Sequence, residues 1–237
     1  MSDRKLLLFD CMETLIDMVE IPGEKEYALW AFEGSGVENC WQGQNHFREH
    51  YQATRKKLRE TPPFDKEYSI YERFKMIVEI TQGKDKDKKT EEIVTKLVSN
   101  YWAKYKAKCF VKNEVRDTLD KLSKQHDLGV VSNFIVEQGV EELLAEFGLQ
   151  KYFRFVVTSV SQGWRKPHPL IYQAALSAAQ AAASNHVIFI GDDYINDYIT
   201  PRKLGMGSLL YDPTQKYLQI NDRITSFIEI PEKILGF

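Results

Sequence analysis

The sequence predicts a doubly wound α/β fold with a helical insertion after its first strand, and three observations predict it. Short apolar runs without alternation recur along the chain, as expected of strands buried on both faces of a parallel sheet. From about residue 110 these runs alternate with stretches of helical period. Between residues 17 and 109, by contrast, apolar and aromatic positions recur at helical spacing and no strand-like run interrupts them.

The first run covers residues 5–10, with Leu6, Leu7, Leu8 and Phe9 leading to Asp10. Within the insertion, Tyr27, Trp30 and Ala31 share one helical face, as do Tyr71, Phe74, Ile77 and Val78, and then Val94, Leu97, Val98, Tyr101, Trp102 and Tyr105. Residues 61–64, with two prolines, and the mixed charge run 83–89 read as its loops. Val115, Leu119 and Leu122 mark the next helix, and residues 128–132 the second strand. Val136, Val140, Leu143, Leu144 and Phe147 form a stripe that stops at Gly148, a natural C-terminal cap. A third strand at 155–158 precedes Lys166, Pro167, His168 and Pro169, where proline suits a helix start, and a stripe carries on through Ile171, Ala174, Ala175, Ala178 and Ala182. Strands at 186–191 and 208–211 complete a five-stranded expectation.

At 237 residues, 43% of them hydrophobic, the chain is long enough for a substantial core. Lys and Arg number 32 against 34 Asp and Glu, a net charge of −2, so composition alone builds no broad patch for nucleic acid or an anionic membrane. Any anionic ligand must be held locally. The three cysteines, Cys11, Cys40 and Cys109, are odd in number and widely spaced, which suits reduced thiols rather than a bridge framework. No apolar run nears the ~20 residues of a membrane span, and the first residues lack a signal-peptide core. The expectation is a reduced, cytoplasmic protein.

In an open α/β sheet, ligands bind outside the carboxyl ends of the strands. Four predicted strand ends carry polar groups: Asp10 and Thr14 after the first, Ser132 and Asn133 after the second, Lys166 beyond the third, and Asp192, Asp193 and Asp197 after the fourth. Taken singly, each acid reads as a cap and Lys166 as a solvated side chain. Taken together, an acid, a hydroxyl, a cation and a second acidic cluster converge on one edge. Two acidic strand ends repel a phosphate unless a divalent cation sits between them, and oxygen ligands point to Mg²⁺. Asp10 then becomes able to attack phosphorus, with Ser132 donating to the transferring group.

These residues resemble the motifs of the haloacid dehalogenase-like hydrolase superfamily, in order and over nearly the whole chain: Leu8, Phe9 and Asp10 with Thr14 and Leu15; Val131, Ser132 and Asn133; Lys166 and Pro167; and Gly191 and Asp192 with Asp197. The resemblance implies a Rossmann-like core domain over 1–16 and 110–237 and a helical cap domain over 17–109, as in the subgroup of phosphoglycolate phosphatases and L-2-haloacid dehalogenases. It also implies Asp10 as nucleophile and metal ligand, Asp192 as second ligand and the main-chain carbonyl of Met12 as third. Asp193 is placed with the metal and Asp197 outside it, one of these acids holding Lys166 or a metal-bound water. Thr14, Ser132, Asn133 and Lys166 bind or orient the phosphoryl group of a small phosphorylated metabolite.

One departure stands out. Phosphatases of this superfamily carry a general acid two residues after the nucleophile, and here that residue is Met12, which moves no proton. Glu13 occupies the usual glycine and Pro201 a usual alanine. The departure keeps three rivals in view: a 2-haloacid dehalogenase, although the acidic fourth motif is metal-like; a phosphonate-cleaving enzyme using Lys56 or Lys57 as a Schiff base; and a catalytically weak member acting as a binding protein. Trp30, Phe47 and Tyr51 are candidates for lining a substrate pocket or for core. Cys11 reads as a buried small residue, and Arg165 and His168 as surface.

Overall fold

The structure, a computed structural model, describes residues 4–83 and 87–237 and divides into two compact units. The first runs to Asp17 and resumes over Phe110–Phe134 and Gln138–Phe237; the second comprises Met18–Cys109 and Ile135–Glu137. Ile135–Glu137, which the sequence placed with the core, joins the second unit, where Ile70 N–H donates to the Ile135 carbonyl at 2.7 Å.

The chain opens with β1 (Leu6–Phe9) and β2 (Asp17–Met18), then enters the second unit: α1 (Glu24–Phe32), α2 (Gln44–Glu60), α3 (Ile70–Gln82) and α4 (Asp87–Lys106). Ser69 and Glu72 start α3 with a capping box, the Ser69 hydroxyl accepting from Glu72 N–H at 3.1 Å and Ser69 N–H donating to the Glu72 carboxylate at 2.7 Å. Asn100 of α4 donates its amide to the carbonyls of Trp30, Ala31 and Glu33, satisfying the exposed end of α1. Aromatic rings fill the space between: Phe47 stands 4.9 Å from Trp41 and 6.3 Å from Phe74, and Trp30 packs edge-on to Tyr105. Phe47 is fully buried and Tyr51 nearly so, so both are core of this unit. Of the charged loop predicted at 83–89, Lys84, Asp85 and Lys86 lie outside the described residues, Gly83 ends α3 with φ 81°, and Asp87 already belongs to α4.

The return strand β3 (Cys109–Phe110) pairs with β2 where the chain passes between units. Then follow α5 (Asn113–Gln125), β4 (Asp127–Ser132), α6 (Gly139–Glu146), β5 (Phe155–Thr158), α7 (Ser159–Gln162), α8 (Pro169–Ala179), β6 (Val187–Gly191), a π-helical turn (Tyr194–Ile199), α9 (Thr200–Lys203), β7 (Gly207–Tyr211), β8 (Arg223–Ile224) and α10 (Ile230–Lys233). Two expectations shift. Val136 precedes α6, and α8 stops at Ala179, short of Ala182, because Gln180 turns left-handed at φ 54°. A sixth strand, β8, was invisible to pattern reading because its two residues, one of them charged, make no apolar run.

The six strands lie in the order β5-β4-β1-β6-β7-β8 with every pairing parallel. Leu6 and Leu8 join Val131, Val157, Ile171, Tyr172, Phe189 and Met206 on one face. On the other, Phe9 stacks on Phe227 at 6.2 Å and meets Phe153 edge-on at 6.1 Å. From β1 the chain builds outward through β4 to β5, then returns to the opposite side of β1 for β6, β7 and β8. The reversal opens a crevice at the carboxyl ends of β1 and β6, the place where doubly wound sheets bind ligands.

Leu8 is fully buried on the central strand. Leu8→Ala is expected to lower unfolding stability by ~2–5 kcal/mol through lost transfer energy and the cavity left behind, read as a fall in the urea midpoint at unchanged slope.

Candidate active site

The register of β1 places the first acid. Phe9 lies opposite Val130 on one side and Ile190 on the other, and Asp10 N–H donates to the Ile190 carbonyl at 2.9 Å. Asp10 therefore leaves the sheet beside Gly191 and Asp192. Beyond it the chain turns tightly: the Cys11 carbonyl accepts from the N–H groups of Leu15 and Ile16, and Glu13 N–H donates to the Ile16 carbonyl. Glu13 is forced to φ 60°, a left-handed conformation that costs a non-glycine residue of order 1–3 kcal/mol. The turn returns Thr14, whose hydroxyl donates to Asp192 at 3.2 Å. The structure thus uses Thr14 to orient an acid, a role additional to the substrate contact expected of it.

Lys166 is the hub. Its ammonium is 2% exposed and lies 2.7 Å from Asp197 and 3.0 Å from Asp10. Burial pulls the ammonium pKa down, but the charges of Asp10 and Asp197 and the hydrogen bond to Asp197 outweigh it and hold the pKa well above its ordinary value. Lys166 is held in place by Asn133: Lys166 N–H donates to the Asn133 side-chain oxygen at 2.6 Å, and the Asn133 amide donates to the Lys166 carbonyl at 3.0 Å. Asn133, expected to touch substrate, thus also fixes the loop carrying the cation. Ser132 is buried at the end of β4, in register with Thr158.

Asp197 is fully buried, with Lys166 on one oxygen and Asp193 N–H on the other at 3.1 Å. Gly191 makes this possible, since a Cβ there would lie 2.4 Å from the Asp197 carboxylate and 2.8 Å from its Cβ. The loop after β6 is wound as a π-helical turn, in which Thr200 N–H reaches back five residues to the Ile195 carbonyl. Tyr172 of α8 donates its hydroxyl to the Asn196 carbonyl beside it. Asp193 caps this turn, one oxygen accepting from the N–H groups of Ile195 and Asn196 at 2.8 Å each. The sequence grouped Asp193 with the metal and set Asp197 outside it, one of the two holding Lys166; that acid is Asp197. Among the described residues the structure gathers Asp10, Asp192 and Asp197, with one oxygen of each within 4.8 Å of the others, and uses one Asp193 oxygen in the cap.

Crowding three carboxylates around one ammonium has an electrostatic signature. Burial, then the charges of Asp10, Asp197 and Glu13, push the Asp192 carboxyl up to about 8, with Lys166 only partly opposing. Burial also raises Asp197, against the pull of Lys166. The direct ammonium contact favours ionised Asp197, which leaves the added proton on Asp192. One Asp10 oxygen is buried with no hydrogen-bond donor aimed at it, although the Lys166 ammonium stands 3.0 Å away outside hydrogen-bond geometry. No backbone N–H among the described residues donates to the Met12 carbonyl either. An anionic, all-oxygen donor set, with a buried Asp10 oxygen that among the described residues only the Lys166 ion pair reaches, fits a hard divalent cation such as Mg²⁺.

Comparison with known proteins places the chain. The family described as haloacid dehalogenase-like hydrolase matches residues 45–210. A haloacid dehalogenase-like hydrolase domain-containing protein 3 from Xenopus laevis is 41% identical over 109 residues, covering 46% of this chain and 43% of that protein. The chain thus spans less than half the length of that relative. A ribulose-1,5-bisphosphate 5-phosphatase from Halopiger xanaduensis is 26% identical over 72% of this chain and 70% of its own. In fold, the chain is similar to the 2-haloacid dehalogenase of Pseudomonas syringae pv. Tomato DC3000, with a TM-score of 0.78 at 22% identity over 98% of this chain and 99% of that one. A family match over most of the chain, on a parallel sheet whose switch point holds Asp10, Lys166 and Asp192, identifies this protein as a member of the haloacid dehalogenase-like hydrolases.

Proposed function

We propose that the protein is a Mg²⁺-dependent phosphatase of a small phosphorylated metabolite that works through a phosphorylated Asp10. The observation that carries this reading is the Asp10 carboxylate, paired with the Lys166 ammonium at 3.0 Å and gathered with Asp192 and Asp197 so that one oxygen of each lies within 4.8 Å of the others. Relatives whose names denote sugar-phosphate phosphatases support it, as does the cation-fitting cluster, which has no role in halide displacement from a haloacid.

Asp10, Asp192 and the Met12 carbonyl are the groups that would hold Mg²⁺; when bound, it neutralises charge on the phosphoryl oxygens. An Asp10 carboxylate oxygen attacks phosphorus while the bond to the leaving oxygen breaks, giving an aspartyl phosphate and the leaving group as its alkoxide or carboxylate anion, which takes up a proton from solvent. Lys166 stays protonated and stabilises the equatorial oxygens, Ser132 donates to one of them, and Asp197 and Asn133 keep Lys166 in position. Water then attacks the phosphorus of the aspartyl phosphate, releasing inorganic phosphate and restoring the Asp10 carboxylate.

Met12 supplies no proton to the leaving oxygen and takes none from water. Glu13 is the nearest other acid in sequence; its carboxyl is raised by desolvation and by the charges of Asp10, Asp17 and Asp193, but its side chain is exposed. Without a positioned acid the reaction favours substrates whose leaving group needs no proton, such as acyl phosphates.

Three outcomes are expected. The first concerns the metal and pH. The Asp192 carboxyl is raised in the folded state, so the native protein binds more protons than the unfolded chain between pH ~4 and ~8, and stability falls as pH rises through that window. Asp192→Asn removes this effect, so without metal it should melt ~2–6 °C above wild type at pH 8 and equal to it at pH 4. Mg²⁺ should raise the wild-type melting temperature at pH 8 and leave the variant's unchanged; equal shifts in both would remove Asp192 from the metal site. Second, Gly191→Ala displaces Asp197 and with it Lys166, and should cut kcat ~10²-fold with little change in KM. Third, general acid–base assistance is worth ~10²–10⁴-fold, so wild type should cleave acetyl phosphate far faster than glycerol phosphate, and Met12→Asp should narrow the gap. Ordinary alkyl-phosphate turnover that Glu13→Gln abolishes would move proton transfer to Glu13.

A further inference from the structure

The second unit carries a pair of metal-binding side chains outside the carboxylate cluster. His46 and His50 sit one turn apart on α2, and their Nε2 atoms face each other at 3.2 Å. The rings are nearly perpendicular, at 89°, with centroids 4.7 Å apart; the two nitrogens share one proton in an N–H···N hydrogen bond, and an ion that displaces this proton would take both lone pairs. Two imidazole nitrogens bound to a single ion at ~2.0–2.1 Å stand ~3.3 Å apart in tetrahedral and ~2.9 Å apart in square-planar geometry. The observed separation falls between these values, with no backbone movement required.

The local sequence agrees. Residues 46–50 read His, Phe, Arg, Glu, His, and two histidines at i and i+4 on one helical face form a recurring zinc-binding pair. Phe47 and Tyr51 anchor this stretch of α2 in the core while both histidines are partly accessible. The other nitrogen of His46, Nδ1, accepts a long contact, 3.4 Å, from Gln42 N–H; metal binding at Nε2 moves the ring proton to Nδ1 and gives up this contact. No third His, Cys, Asp or Glu joins the pair among the described residues, so water completes the coordination.

We propose that His46 and His50 form a two-histidine site for a divalent transition metal, with Cu²⁺ preferred over Zn²⁺ and Mg²⁺ excluded by the nitrogen donors. The helix gives the site an effect. Gly43 starts α2 at φ 97° with no side-chain cap, and a metal bridging positions 46 and 50 would tie the first turn to the next more firmly than the single hydrogen bond between the two rings.

The test uses the intact protein with Mg²⁺ in excess to occupy the carboxylate cluster. One equivalent of Cu²⁺ should give an electron paramagnetic resonance spectrum with superhyperfine coupling to two nitrogens. His46→Asn and His50→Asn should each reduce it to one nitrogen and weaken binding by more than about tenfold. Zn²⁺ should raise the melting temperature of wild type but not of either variant. Should a variant fail to fold, the wild type decides alone: Zn²⁺ should protect His46 and His50 from diethyl pyrocarbonate while His126, His168 and His186 react as before. A one-nitrogen spectrum in wild type, a two-nitrogen spectrum that survives both substitutions, or no selective protection would overturn the site.

Discussion

An ammonium group buried at 2% exposure between two carboxylates is the interaction on which the rest of the first unit is arranged. Removing a charge from water costs several kcal/mol unless partners and hydrogen bonds replace the lost solvation. The Lys166 ammonium obtains them from Asp10 at the end of β1 and Asp197 in the turn after β6, while the side-chain amide of Asn133 beyond β4 grips the Lys166 backbone. Each partner is correctly placed only if its strand is in register. The parallel pairings of β1 with β4 and β6 and the location of the cation are thus one constraint seen from two sides.

That constraint also explains the irregular backbone at the site. The turn after β6 opens with an ordinary i→i−4 bond, Asp197 N–H donating to the Asp193 carbonyl at 2.8 Å, and widens to π-helical winding only beyond it; capped by Asp193 and tied by Tyr172, it sets the Asp197 carboxylate beneath Gly191. The left-handed Glu13 serves the same end on the other side, closing the turn that returns Thr14 to Asp192. Irregular backbone at Glu13 and in the turn after β6 thus serves the convergence of the three acids, while the β-strands leading to them stay regular.

Much of this was legible in the sequence because it rests on patterns with a physical cause. Leu6, Leu7, Leu8 and Phe9 announce a strand buried on both faces, and an acid immediately after such a strand sits at a ligand-binding edge whatever the family. The position of the insertion follows from the change of period after residue 16. The division of labour among the polar residues was less legible, because it depends on which neighbour reaches a side chain first. Asn133 and Asp193 look like ligand contacts in a motif, and only the three-dimensional placement shows that the first also grips the Lys166 backbone and that one oxygen of the second caps the turn after β6. The π-helical winding leaves no periodic trace over six residues, and β8 is too short to show one.

The place of β1 in the sheet has a consequence for how the protein is made. β1 is central, and its two neighbours begin at Asp127 and Val187, so synthesis delivers the hub strand long before either partner. At ~5–20 residues per second, roughly ten to forty seconds pass between the emergence of β1 and that of β6. Throughout that interval an apolar strand with both edges unpaired waits on the ribosome, while the second unit, whose four helices are contiguous in sequence, has all but three of its residues available to pack. The insertion therefore fills the waiting time with a separate folding task, and the nascent chain presents β1 tethered to helical structure during the period when it is most exposed to pairing with the wrong edge.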